Sequence, residues 1–188
     1  MTIKTMLAVM AAPAVLGLAV PAAAQDRMGD DPAMTTSPAP MPSAMAVKPD
    51  DFVKAAAHSG HFEIESSRLA LEKSSSEEVR DFAARMIDQH VAMNRKLKEV
   101  ASMDVPGEPG PAQRLMIAKL SKKSGDAFDE GYFKGQITGH EMTVSFFEAM
   151  AEMGSDPALQ EYARMGLPKI KEHLEEAKQI ASDMGMSM

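Results

Sequence analysis

From Phe52 to the end of the chain, apolar residues return every three or four positions and no sustained alternation of period two appears, so the pattern predicts helices without a sheet. A first helix over about Asp50 to Lys73 aligns Phe52, Ala56, Ser59, Glu63, Ser66 and Ala70 on one face. A second follows Ser74, Ser75 and Ser76, where Ser75 and Glu78 have capping-box spacing, and it aligns Phe82, Met86, His90, Met93, Leu97 and Val100. It should stop before the breaker formed by Pro106, Gly107, Pro109, Gly110 and Pro111. A short amphipathic piece from Leu115 to Leu120 leads to a third long helix over about Asp126 to Met153, striped by Phe133, Ile137, His140, Val144, Phe147 and Ala151. Gly154 ends it, and Asp156 with Pro157 opens a fourth, striped by Ala163, Gly166, Ile170, His173, Ala177 and Ile180. Pro168 inside that stripe predicts a kink or break near Gly166. The second and third long helices come out at about 42 Å each. The expected architecture is an all-α four-helix bundle with a short extra helix in the connection between helices two and three.

The pattern changes ahead of Pro49. Residues 25–49 are rich in Pro, Ala, Ser, Thr and Met and hold no aromatic residue, so they lack the apolar surface to offset ordering and read as a disordered tether. Residues 1–24 show a cation at Lys4, an uncharged apolar stretch from Met6 to Val20, and Pro21 followed by three alanines. This reads as an export leader cleaved after Ala24, since the stretch is shorter than the roughly 20 residues of a spanning helix. The folded domain is expected over 50–184, with 185–188 a methionine-containing tail, in the periplasm or outside the cell.

Composition narrows the chemistry. The chain has 20 Lys and Arg against 27 Asp and Glu, a net charge of −7 with no basic run, which argues against nucleic acid or an acidic membrane surface as partner. It has no cysteine, which removes disulfides, thiolate metal clusters and a thiol nucleophile. No serine elbow, phosphate-cradling glycine loop or His-Glu-x-x-His is present, so the sequence names no catalytic residue.

One constellation remains. Each long stripe carries a single potential metal ligand among apolar neighbours: Glu63, His90, His140 and His173. At the helical rise, Glu63 and His90 lie about 17 and 23 Å from the first hairpin turn, and His140 and His173 about 22 and 28 Å from the second. All four fall within one to two turns of a common level, so three imidazoles and a carboxylate can meet around one Zn, Cu or Fe ion. The competing reading makes them core polar groups that bond to one another in a metal-free structural or interaction module. A di-iron oxidase is disfavoured, because it uses two Glu-x-x-His pairs and here the residue three before each histidine is Ile87, Ile137 or Ile170. Glu172, Asp88, Glu148 and Asp129 fall off the stripes. His58 and His61 should face solvent beside Glu65, and the methionines divide into core filler (Met86, Met93, Met150) and a mobile end, Met184, Met186 and Met188, suited to Cu(I). Nothing in the pattern names a protein partner or an oligomeric state.

Several blocks in order carry a family resemblance: Phe52-Val53-x-x-Ala56-Ala57 with Glu63; Val79-x-x-Phe82-Ala83-x-x-Met86-Ile87-x-x-His90-x-x-x-Asn94; Gly125-x-x-Phe128-Asp129-x-x-Tyr132 leading to His140; and Leu167-Pro168-x-x-x-x-His173-Leu174-x-x-Ala177. Over about residues 50–182 the chain resembles the bacterial domain-of-unknown-function 4142 family. The resemblance implies a ferritin-like four-helix fold in exported proteins and assigns no activity; iron storage does not follow from the fold. It also implies that Glu63, His90, Asn94, Asp129, His140 and His173 occupy recurrent polar positions. This chain departs at Gln89, where an acidic residue is often seen just before the second-helix histidine.

Overall fold

The computed structural model describes residues 47–186. The leader, nearly all of the tether, and Ser187 and Met188 lie outside them. Among the described residues there are five helices and no strand: α1 (Pro49–Lys73), α2 (Glu77–Val100), α3 (Pro111–Leu120), α4 (Asp126–Met153) and α5 (Pro157–Asp183). α1 packs against α2 and α4, α5 packs against the same two, and α3 lies on α1 and α4. Each long helix therefore offers its stripe to two others. No position of the four stripes is fully exposed.

The ends and course of the helices follow local chemistry, with four departures from expectation. The cap of α2 is Ser76, not Ser75: its hydroxyl accepts from the Val79 amide at 3.4 Å, while Ser74 Oγ accepts from Ser76 N at 3.2 Å. A valine at the third helical position means no reciprocal capping box forms. α2 is shorter than expected at 24 residues, about 36 Å. α3 begins at Pro111, four residues before Leu115, because a proline that stops one helix is suited to the first turn of the next. α5 runs through Pro168 without a break. The proline removes the bond to the Arg164 carbonyl, and both residues lie on the exposed face of the helix.

The C-terminal end also differs from expectation. Gly185 adopts φ +68°, Gly185 N donates to Ser182 O and Met186 N donates to Ala181 O, both at 2.9 Å. This is the Schellman arrangement, with glycine at the left-handed position. Met184 and Met186 are half-buried against the core, so the end of the chain is docked at least through Met186 rather than mobile.

The core has two apolar halves. One gathers Phe82, Met86, Phe128, Tyr132, Phe133, Ala177 and Ile180; the other gathers Phe52, Leu97, Phe147, Met150, Leu159, Tyr162 and Ile170. In the first, Phe82 lies 5.4 Å from Phe133 and 6.2 Å from Tyr132, centroid to centroid. In the second, Phe52 lies 5.0 Å from Phe147. Along each stripe, the inward polar residue sits between these halves.

Candidate metal centre

His90 comes from the middle of α2, His140 from α4 and His173 from α5, and they are only 4%, 1% and 2% exposed. Their rings meet at centroid separations of 5.6 Å (His90–His140), 5.3 Å (His90–His173) and 5.4 Å (His140–His173). One nitrogen from each ring lies within 4.8 Å of the others. The spacing of the stripes thus brings three of the four expected residues to one interior point.

Hydrogen bonds set which nitrogens face inward. The Gln136 carbonyl, one turn back on α4, can only accept, so His140 Nδ1 donates to it at 2.8 Å and Nε2 keeps its lone pair. On His173, Nε2 lies against Gln89 Oε1 in a close hydrogen bond; with the amide oxygen turned to the ring, that nitrogen donates and Nδ1 keeps its lone pair. His140 Nε2 and His173 Nδ1 then face each other at 3.4 Å. Two lone pairs this close repel unless a cation or a proton lies between them. The separation matches the roughly 3.3 Å edge of a tetrahedral site with metal–nitrogen bonds of about 2.0–2.1 Å. His90 Nε2 is buried and finds no hydrogen-bond partner among the described residues.

Burial sets the protonation. It pushes the His140 imidazole down to about 4 against the opposing pull of the Gln136 carbonyl. It pushes His173 down to about 3, aided by His140, Lys169 and Arg85. His90 is also held well below the ordinary histidine value, by burial first and then by the other two rings. At neutral pH all three are uncharged imidazoles, the form that ligates metal.

Glu63 stands apart. It is 1% exposed, and its Oε1 lies 3.8 Å from His140 Nδ1, on the side of the ring that faces Gln136 rather than the triad. Neither carboxyl oxygen finds a hydrogen-bond partner among the described residues. Burial raises its carboxyl well above the usual range, with the Gln136 amide opposing. A carboxylate there would strengthen the donor at Nδ1, and hence the basicity of Nε2, from behind. Gly139 makes room for it: a Cβ at that position would come within 2.9 Å of Glu63 Oε1.

Other sequence-flagged residues have local roles. Asn94 lies under Gly60, whose missing Cβ would otherwise sit 2.2 Å from Asn94 Oδ1, so the pair sets the approach of α1 to α2. Asp129 is buried about three turns before His140 on α4. His58 and His61 are half-buried rather than fully solvent-facing, and His58 Nδ1 donates to the Glu108 carbonyl at 2.9 Å, pinning the α2–α3 connection. Glu65 pairs instead with Arg68 at 2.6 Å. Asp88 and Glu172 are exposed, the latter paired with Lys169 at 2.7 Å, and Glu148 pairs with Lys171 at 2.7 Å. Among the described residues, no carboxylate joins the three imidazoles. Gln89 and Gln136, which orient two of the rings, were not expected as partners; the Gln136 position one helical turn before His140 was the available signal.

Over its described residues the molecule is therefore all-helical, with a buried cluster of three neutral histidines. It belongs to the family called domain of unknown function (DUF4142), whose sequence profile matches residues 34–180. That match begins ahead of α1, within the stretch read as tether. No curated protein matches the chain. Among solved structures it is similar to CopM in its Cu(II)-bound form, with 14% identity and a TM-score of 0.61, covering 74% of this chain and 99% of that one. It is also similar to a DUF305 protein from Streptomyces coelicolor, with 15% identity and a TM-score of 0.59, covering 74% and 96%. At these identities the likeness is one of fold. No described helix is long and apolar enough to cross a membrane.

Proposed function

We propose that this is an exported, ferritin-like four-helix-bundle protein that holds one transition-metal ion between His90, His140 and His173, in metal handling or envelope stress rather than substrate turnover. The observation that carries the reading is the pair of inward lone pairs, His140 Nε2 and His173 Nδ1, 3.4 Å apart with both outer nitrogens already donating. A merely structural core would place a donor against an acceptor there. The pairwise packing of the long helices, with α3 laid on α1 and α4, supports the bundle with an extra helix. The leader at residues 1–24, cleaved near Ala24, supports export. Three imidazoles without a thiolate suit Zn or Cu, and the Irving–Williams order favours Cu(II) where both are available. The copper-bound state of CopM agrees with that choice. Glu63 stands behind His140, on its Nδ1 side, rather than serving as a fourth ligand.

A metal-free module is the second reading. The bonds from His140 to Gln136 and from His173 to Gln89 support it, since such a polar layer between two apolar halves can fix helix register. Titration of the metal-free mature chain separates the two. The metal reading expects saturation at about one Cu(II) or Zn(II) per chain. A chain that binds neither ion, and whose melting neither ion moves, belongs to the second reading. Two irons per chain with oxygen consumption would restore the oxidase.

A further inference from the structure

The three imidazoles are at most 4% exposed, so an ion reaches them only through a wall of the core. We infer that Met165 and Met93 form a thioether relay that passes Cu(I) from the α2–α5 groove to the histidine cluster; this rests on the metal-binding reading above.

The groove, about 470 Å³, opens to solvent between α2 and α5 and is lined by Met165, Met93, Tyr162 and Gly166. Met165 stands at its mouth, 65% exposed. Behind it lies a small cavity of about 10 Å³, lined by His90, Met93, Asn94 and Tyr162. That is room for about one water-sized particle. Met93 and Tyr162 line both spaces and together form the wall they share, with Met93 its thioether member. It sits one turn before Leu97 and three residues after His90, on the half-buried edge of the α2 stripe. Gly166 is the reason its side chain can lie there: a Cβ at 166 would meet Met93 Cε at 3.3 Å and Phe147 at 3.0 Å. Tyr162 Oη donates to the Met93 carbonyl at 3.3 Å, holding the backbone while the unbranched thioether stays free to change rotamer.

The chemistry fits a soft ion. A thioether is a weak, polarisable, uncharged ligand that favours Cu(I) over Zn(II) and releases it readily to stronger imidazole donors. His90 Nε2, buried and without a partner, is the receiving atom nearest this wall in sequence. No oxidation or reduction is required, because the ion remains Cu(I) from groove to cluster.

The test compares rate with capacity. Metal-free mature chain is mixed without oxygen with the Cu(I)–bicinchoninate complex, and transfer is followed by the loss of chelator colour. Met93→Leu keeps the volume and removes the sulfur; it should slow Cu(I) transfer about tenfold, with final copper per chain unchanged and Zn(II) loading at the wild-type rate. Met165→Leu, exposed and harmless to folding, should slow it about threefold. Wild-type Cu(I) rates in both variants would overturn the relay. So would equal slowing of Cu(I) and Zn(II), which marks a packing effect, or a fall in final copper, which makes Met93 a ligand of the resting site. A wild-type chain that takes up no ion at equilibrium overturns the histidine site itself, a different failure read in the same experiment.

Discussion

Replacing His140 with alanine should lower the affinity for Cu(II) or Zn(II) by more than about 100-fold, since loss of a mere hydrogen-bond partner of a ligand already costs about 10–100-fold. His140 is the most confined of the three, 1% exposed and fixed through Nδ1 to the Gln136 carbonyl at 2.8 Å. Its Nε2 is one of the two inward lone pairs, and alanine supplies no substitute. Competition with a chelator of known affinity measures the loss, and far-ultraviolet circular dichroism checks that the helices persist. An affinity within a factor of about ten of wild type would place the ion elsewhere on the chain.

Acid should destabilise the metal-free protein as well as strip it of metal. Unfolded, each histidine titrates near 6.5; folded, His140 waits until about 4 and His173 until about 3, with burial the first cause in both. Below pH 6.5 the unfolded chain therefore binds more protons than the native one, and stability falls with pH through the window down to about 4. For His140 alone the full shift corresponds to about 3 kcal/mol. Glu63 has the opposite sign. Its folded value is raised above 4.5, so the native state binds the extra proton, and acidification toward 4.5 relieves the cost of burying the carboxylate. The three histidine contributions share one sign and oppose the single one from Glu63. Urea denaturation of metal-free protein between pH 7.5 and 4.5 should show the loss, and Glu63→Gln should steepen it by removing the offset. A profile that stays flat over that window in Glu63→Gln as well as in the wild type would mean the imidazoles are not buried as neutral rings.

Much of this was legible in the spacing of residues. The four stripes locate the helices and, between Met86 and Leu97, Ile137 and Phe147, and Ile170 and Ala177, the inward histidines of three of them. Rise per residue sets height along a helix to within about a turn, but azimuth decides which face of a ring a neighbour meets. Hence Glu63 comes to the correct level and yet to the Nδ1 side of His140, away from the other rings. Gln89 was visible only as a departure from an acidic residue; its bond to His173 depends on how α2 is rotated against α5. Local competition hid smaller features. Three consecutive serines offered three caps, and the choice of Ser76 depends on where the α1 turn ends. His58 looked solvent-facing because the connection that covers it, around Glu108, has no periodic signal. The docking of Met186 rests on a single left-handed glycine, which in sequence is indistinguishable from a loose Gly-Met-Ser end.

The central claim is that His90, His140 and His173 share one ion. X-ray absorption at the metal edge of the Cu(II)-loaded mature chain tests it most directly. About three imidazole nitrogens near 2.0 Å, with the outer-shell scattering of intact rings, is the predicted spectrum. A shell of oxygen donors alone, or the same spectrum from a chain lacking all three histidines, would contradict it.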